Sequence, residues 1–326
     1  MATILVTGGA GYIGSHVVRE LIKDNKIIVF DNLSKGHLEA VDKKAKFVKG
    51  DLANFKEIDT CLRKNNVDAV VHFAGFIEAG ESMVKPEKYF TNNVANGINL
   101  LNAMVNNNVG KMIFSSSAGV YGNPKRIPIE EDDETTPINV YGETKLLFER
   151  ILRWYDEIHN LKFMSLRYFN AAGSDGRLGE DHNPETHLIP LVLKAVLNKS
   201  EVKIFGTDYS TKDGTCIRDY IHVVDLSKAH ILALDNLDTE SKVYNLGSEK
   251  GYSVKEIITI VKRITKTDIA VKELERREGD PPILLASSKK IRKELGWKPT
   301  HSNIRTIIKD AWKWYKKHPK GYIRVK

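Results

Sequence analysis

The chain's 326 residues, 41% hydrophobic and 28% charged, fit one large domain or two modest ones and exclude a disordered chain. Its two cysteines, Cys61 and Cys216, are too few for a disulfide framework and lack metal-ligand spacing, so both are expected to be reduced and no zinc site is suggested. The start, "MATILVTGG", enters an apolar strand with no basic leader or long apolar run, which leads to the expectation of a cytoplasmic protein without membrane contact.

"TILVTG" predicts a first strand and residues 12 to 24 an amphipathic helix. "KIIVFD" and "KFVKGD" follow as strands, then a helix over 54 to 65, a strand in "VDAVVHFAG" and a helix over 86 to 106. A strand in "KMIFSSSA", a helix over 141 to 158 and a strand in "KFMSLRYFN" complete the series. Alternating β and α elements, with strands apolar on both faces, predict an α/β fold built on a doubly wound parallel sheet. After Asn170 the rhythm breaks into the polar loop "AAGSDGRLGEDHNPETH", followed by a helix near 188 to 198 and shorter elements. "TCIRDYIHVVDLSKAHILAL" and "KVYNLGS" read as a further helix and strand returning to the sheet. The formal charge of +8 is C-terminal: residues 251 to 326 hold 20 Lys and Arg against 8 Asp and Glu. Much of it lies at helical spacing beside Ile291, Leu295, Trp312 and Trp314, the pattern of a solvated helix face. No nucleic-acid motif accompanies it, so no nucleic-acid partner is expected, and a site for an anionic small molecule fits the excess.

In "VTGGAGYIG", Gly8-x-x-Gly11-x-x-Gly14 follows a strand and opens a helix. Such glycines allow a tight turn and close approach of backbone to a pyrophosphate seated over the helix N-terminus. The second strand ends at Asp31, where a carboxylate can accept both ribose hydroxyls. Asp31 would repel a 2′-phosphate and no arginine follows closely, so NAD is expected over NADP, with Lys35 a mild reservation. Asp51 and the "HFAG" of residues 72 to 75 end the third and fourth strands, where strand termini form the ligand crevice. A Rossmann domain over residues 1–169 plus about 220–247 is expected, with a smaller, discontinuous α/β domain over about 170–219 plus 248–326.

The spacing Tyr-x-x-x-Lys occurs at Tyr121/Lys125, Tyr141/Lys145 and Tyr322/Lys326. Pro124 forbids a regular helix across the first, and the third is the end of the chain. Only Tyr141 and Lys145 open a helical pattern, through Leu146, Leu147, Ile151, Leu152 and Tyr155, so only they share a face and can act as a unit.

With "TGGAGYIGSH", "FSSSA", "YGETK", "LRYFN", "DGTCIRDYIHVVDL", "YNLGS" and "RREGD" in order from residue 3 to near the C-terminus, the sequence resembles the UDP-glucose 4-epimerases of the extended short-chain dehydrogenase/reductase family. Related 4,6-dehydratases usually carry Thr-Asp-Glu at the positions of Ser117, Ala118 and Gly119, which argues against dehydration. The resemblance implies interconversion of UDP-galactose and UDP-glucose through transient oxidation at sugar C4 with bound NAD. It makes Tyr141 the base, Lys145 its partner and a holder of the cofactor ribose, and Ser117 the hydroxyl beside the sugar O4. Around the cofactor it places Gly8, Gly11, Tyr12, Ile13, Gly14, Asp31, Asn32, Asp51 and Leu52, then Phe73, Ala74, Gly75, Asn92 and Phe169. Asn170, Leu188, Phe205, Arg218, Arg277 and Asp280 would surround the UDP part, and Leu284 would face the sugar C2 substituent. The chain departs from the family where Ile77 stands for a lysine near the cofactor, Gly119 for a threonine and His187 for an asparagine. Ile77 puts cofactor affinity in question, and Gly119 the best sugar. The alternatives are a 4-epimerase of another UDP-sugar, an N-acetylhexosamine or a pentose, and a non-catalytic dinucleotide-sensing protein. A homodimer through helices 86 to 106 and 141 to 158 is expected from the family's habit.

Overall fold

Four of the five residues of β1 (Thr3–Thr7) are β-branched and all but the first are buried, so the strand needs cover on both faces. The structure, a computed structural model, describes residues 1–238, 240–277 and 280–322. Glu278 and Gly279 of "RREGD" and Lys326 of the third tyrosine–lysine spacing lie outside the described residues.

In chain order β1 is followed by α1 (Tyr12–Leu21), β2 (Lys26–Asp31), β3 (Lys46–Lys49), α2 (Phe55–Asn65) and β4 (Ala69–His72). Two short helices, α3 (Ala79–Ser82) and α4 (Pro86–Tyr89), lead through a π-helical stretch at Phe90–Ala95 into α5 (Asn96–Asn106). Next come β5 (Lys111–Ser117), α6 (Val140–His159), β6 (Lys162–Tyr168) and β7 (Asn170–Ala172). Then follow α7 (Leu188–Asn198), β8 (Val202–Phe205), β9 (Ile217–His222), α8 (Val223–Asp235) and β10 (Lys242–Leu246). The chain continues through β11 (Gly251–Ser253), α9 (Val254–Thr265), β12 (Val271–Leu274), β13 (Ile283–Leu284), α10 (Lys289–Leu295) and α11 (Ile304–Lys317).

The main sheet runs β3-β2-β1-β4-β5-β6-β10, with every neighbouring pair parallel. Neighbouring residues of β1 point to opposite faces. Leu5 joins Ile28, Ile58, Leu101 and Phe148 under α2, α5 and α6, while Val6 joins Val17, Val29, Leu226 and Tyr244 under α1 and α8. A doubly wound parallel sheet is thus present as expected, including the strand "KVYNL" that returns as its edge. A smaller sheet is centred on β9, which pairs β7 and β13 parallel and β11 antiparallel, and β8 pairs β12. Ile257, Val261, Ile307, Ile308 and Trp314 of α9 and α11 form a third core with α7. Among the described residues no helix is long and apolar enough to cross a membrane.

Two elements differ from expectation. The helix read over 86 to 106 is interrupted by the π-helical stretch, whose wider turn leaves Asn93 free to accept from Phe76 N at 2.8 Å and donate to Phe76 O at 3.0 Å. The segment read as one strand through "RYFN" breaks after Tyr168, and Asn170 starts β7 in register with Tyr220 of β9.

The Arg167 guanidinium in β6 donates from Nε to Glu149 Oε1 at 3.0 Å and from NH2 to Oε2 at 2.6 Å. Both residues are buried, so each charge depends on the other. Ser116 Oγ also donates to Glu149, and Arg167 NH1 to Tyr121 Oη, which itself donates to Asn245. Arg167→Met strands the Glu149 carboxylate and is expected to destabilise the chain by about 3 to 5 kcal/mol in denaturant unfolding. Wild-type stability in that variant would show that the pair does not hold α6 to the sheet.

Candidate functional site

A groove opens at the C-terminal ends of β1, β2, β4 and β5, the place where an open parallel sheet takes ligands. The turn after β1 builds its floor. Gly8 has φ +70°, and a Cβ there would meet Ala74 N at 2.6 Å, while one on Gly14 would meet Gly8 O at 2.3 Å. Only glycines let the turn and α1 close this tightly, and Gly11, at the start of α1, offers no side-chain cap. The first amides of the helix therefore face the groove unprotected by any side chain.

Asp31, at the end of β2, accepts from Ala10 N at 3.0 Å and Leu33 N at 2.8 Å, which ties it to the glycine turn. Burial pushes its carboxyl up while these two amides hold it down. Asp51 shapes its own turn by accepting from Ala53 N at 2.9 Å and accepts from Asn32 Nδ2 at 2.9 Å; both residues line the groove. Tyr12, Ile13 and Leu52 line it as well, as do Phe73, Ala74, Gly75, Asn92 and Phe169.

"NVYGETK" becomes the first two turns of α6. Asn139 caps the helix by accepting from Gly142 N at 2.8 Å, and Ser82 Oγ accepts from Tyr141 N at 3.0 Å. A Cβ on Gly142 would lie 2.4 Å from Gly119 O, so glycine lets the helix start press against the turn after β5 that carries Ser117. Gly119 leaves space in the same corner, where a Cβ would sit 3.3 Å from Ser117 Oγ and 3.8 Å from Tyr141 Cδ1. Tyr141 and Ser117 both line the groove. Burial pushes the Tyr141 phenol up, the Ser117 hydroxyl opposes this, and the Glu78 carboxylate adds to it.

Lys145 lies one turn on, behind the groove wall. Its Nζ donates to Ser115 O at 2.8 Å, sits 5.8 Å from the Tyr141 ring centre and would be 3.7 Å from a Cβ on Gly75. Burial pulls the ammonium down to about 8, with Glu149 opposing, so it stays protonated at neutral pH. The competing spacing has a different fate. Tyr121 is fully buried in the Arg167 network, and Lys125 is exposed and paired with Glu134 at 2.7 Å.

The expected second-ligand residues divide. Asn170 lines the groove and donates to Asp219 O at 3.0 Å. Arg218 is ion-paired with Asp280, Arg277 stacks on Phe205 with its guanidinium carbon 3.9 Å from the ring centre, and Leu284 pairs with Arg218 in the β13–β9 register. Leu188, Phe205, Arg218, Arg277, Asp280 and Leu284 all lie outside the groove lining, and Leu284 packs beside the cluster of Ala118, Leu146 and Phe169. Sequence reasoning passed over Glu78, Ser115 and Tyr168, which line the groove around Tyr141. Tyr168 Oη and Ser115 Oγ are hydrogen-bonded to one another. Their signal was present in "FSSSA" and "LRYFN", strand ends in register on β5 and β6. Lys35 also reaches the groove, donating to Glu78 Oε1 at 2.7 Å and Asn183 O at 3.0 Å.

This architecture is that of a nucleotide-binding enzyme of the short-chain dehydrogenase type, and residues 4–247 match the NAD dependent epimerase/dehydratase family, to which the chain belongs. It is 52% identical to a UDP-glucose 4-epimerase of Lactobacillus helveticus over 325 residues, 98% of each chain. The UDP-glucose 4-epimerase of Bifidobacterium longum, solved in complex with NAD+ and UDP, superposes with a TM-score of 0.94 at 40% identity, covering 98% of this chain and all of that one. The UDP-Glc/GlcNAc 4-epimerase of Campylobacter jejuni superposes at 0.85 with 42% identity, covering 97% of this chain and 100% of its own.

The tight contact at Gly142 is testable. Gly142→Ala is expected to cost about 1 to 3 kcal/mol, the range for overpacking a close contact, in denaturant unfolding. An unchanged midpoint would mean that α6 does not need glycine to approach Gly119.

Proposed function

We infer that the chain interconverts UDP-galactose and UDP-glucose with bound NAD; the observation that carries this is the convergence of Tyr141 and Ser117 on the groove that also holds the glycine turn and Asp31. The groove fits NAD: a side chain at Gly8 or Gly14 would fill the cradle, the start of α1 offers free amides to a pyrophosphate, and Asp31 presents a carboxylate to ribose hydroxyls. Lys35 is engaged by Glu78 beside this wall, which supports NAD over a cofactor with a 2′-phosphate. Residues 1–169 plus about 220–247 form the NAD unit in this reading and the remainder the UDP-sugar unit, with Asn170, Leu188, Phe205, Arg218, Arg277 and Asp280 around the UDP.

A phenol of pKa about 10 needs about 4 kcal/mol of phenolate stabilisation to act as a base near pH 7. Burial and Glu78 work against this. A positive charge at the 5.8 Å between Lys145 Nζ and the Tyr141 ring centre supplies about 3 kcal/mol at an effective dielectric of 20. Lys145 alone therefore falls short. NAD, when bound, supplies further positive charge and takes up and returns the C4 hydride. Tyr141 removes the C4 hydroxyl proton, Ser117 hydrogen-bonds the sugar O4 and passes the proton between them, and Lys145 holds the phenolate form. Ile77 supplies no cation to the cofactor, so NAD is held more loosely than in relatives with lysine there.

We further propose a cytoplasmic homodimer. Trp154 and Ile158, 63% and 66% exposed, lie one turn apart on α6 and suit a partner helix.

The purified chain with UDP-galactose and NAD is expected to form UDP-glucose without added reductant; no conversion of any UDP-hexose would sink the reading. Tyr141→Phe is expected to keep the fold and lose most turnover, by about 10²-fold or more. Tyr121→Phe is the control, expected to cost about 1 kcal/mol of stability and little turnover, because its hydroxyl serves the buried network.

The preferred sugar is the plain hexose, with Leu284 limiting an N-acetyl group at C2. The kcat/KM ratio for UDP-galactose over UDP-N-acetylgalactosamine is expected to fall in Leu284→Ser and rise in Leu284→Tyr, each by about 10- to 200-fold at most. Equal ratios in all three proteins would remove Leu284 from the sugar site.

A further inference from the structure

The sequence reading weighed metal binding on cysteines alone, but the loop before α7 contains Glu-x-His-x-x-Glu-x-His. One ligand atom from each of Glu180, His182, Glu185 and His187 lies within 4.8 Å of the others. Glu180 Oε1 is 2.8 Å from His187 Nδ1 and 3.3 Å from His182 Nδ1; Glu185 Oε1 is 3.3 Å from His187 Nδ1 and 3.8 Å from His182 Nδ1. Despite these distances, Glu180 Oε1, both Nδ1 atoms and Glu185 Oε2 are buried without a hydrogen-bond partner. The Glu180 and Glu185 side chains are 4% and 6% exposed, so both carboxylates are shielded from bulk solvent.

Four potential ligand atoms gathered within 4.8 Å of one another, with Glu180 Oε1, both Nδ1 atoms and Glu185 Oε2 in no hydrogen bond, is the arrangement of ligands around a cation. We propose that Glu180, His182, Glu185 and His187 bind one divalent transition-metal ion, with zinc the best fit. A tetrahedron with metal–ligand bonds of about 2.0 Å has edges of about 3.3 Å, within the 4.8 Å that bounds every pair of the four ligand atoms. Two imidazoles with two carboxylates suit zinc and exclude magnesium or calcium, which take oxygen ligands. Charge agrees. Two buried carboxylates call for two positive charges, and one divalent ion supplies both. The one other cation beside the carboxylates among the described residues, Lys194, stands off at 3.6 Å from Glu185 Oε2.

The surroundings hold the ligands in place. Glu185 Oε1 accepts from Thr186 N at 2.9 Å and His187 N at 3.0 Å, and Tyr315 Oη of α11 donates to Glu180 O at 2.7 Å. All four positions come from the protein, as in structural sites, so the ion's task is to fix the loop that places Glu180, His182 and His187 on the groove wall.

The test uses the full chain without an affinity tag, stripped with chelator and equilibrated by dialysis against zinc chloride, with metal content read by mass spectrometry. About one zinc per chain is expected, a higher thermal midpoint than the stripped chain, and a tetrahedral ligand-field spectrum with cobalt(II) in place of zinc. His182→Ala and Glu185→Gln are expected to lose the bound zinc; Glu185→Gln keeps the side-chain volume and decides the matter if the histidine variant misfolds. A folded wild-type chain that retains no zinc, or variants that retain as much as wild type, would overturn the proposal. None of these readouts passes through turnover, so they stand or fall apart from the epimerase reading.

Discussion

The buried ion pair between Glu149 and Arg167 sets the frame of the site. Glu149 is the third member of a row, Tyr141, Lys145 and Glu149, that recurs every four residues along one face of α6. Arg167 sits on β6, beside β5, whose end carries Ser115 and Ser117. The fork between them therefore pins the far end of the row to the strands that carry the site. The near end is pinned by packing, through Gly142 against Gly119 and the Tyr141 amide on Ser82. A charge that is costly to bury is tolerated because its partner also fixes geometry. The same Glu149 carboxylate opposes the loss of the Lys145 proton, so the ion pair reaches the candidate base through electrostatics as well.

The groove exists because the chain changes sheets in a single step. Phe169 N still donates to Leu246 O of the main sheet at 3.1 Å, and Asn170 is already in register with Tyr220 of the smaller one. Residues expected at the cofactor and at the substrate thus follow one another directly in sequence. Asp219 of β9 closes this junction. It accepts from Ser248 N and Oγ, both at 2.7 Å, from Glu249 N at 3.0 Å and from Ala286 N at 3.2 Å. Burial lifts it to about 6 even so. The segment that follows β10 is held to β9 by this carboxylate together with the antiparallel pairing of β11.

What was legible in the sequence is what has a period or a local signature. Strands buried on both faces, the glycine turn and the helical context of Tyr141 all act within a dozen residues, and their reading survives folding. Contacts between distant segments left no such trace. Nothing in "NNV" announces that Asn93 will brace Phe76, which takes a π-helical stretch to arrange. Arg218 and Arg277 were read as diphosphate ligands by resemblance, and in the folded chain they are engaged by Asp280 and Phe205, neighbours that only the tertiary structure supplies. Tyr121 shows the converse. Its spacing to Lys125 matched the motif, and Pro124 was enough to reject it, but its real task in the Arg167 network depends on residues 46 and 124 positions away.

The chain's other buried acids show how it treats such groups. Glu149 meets a guanidinium fork, Asp219 meets backbone amides and a hydroxyl, and Asp225 accepts from Thr300 N, His301 N and Ser302 Oγ at 3.0, 2.7 and 2.8 Å. Each case follows the rule that a buried carboxylate is paired or hydrogen-bonded. Glu180 is held differently, with its buried Oε1 at 3.3 and 2.8 Å from the Nδ1 atoms of His182 and His187 but aligned for a hydrogen bond with neither. A cation bound among these atoms gives the Glu180 oxygen and both imidazole nitrogens a partner at once, which is what the proposed site adds to an acid otherwise held by ion pairs alone.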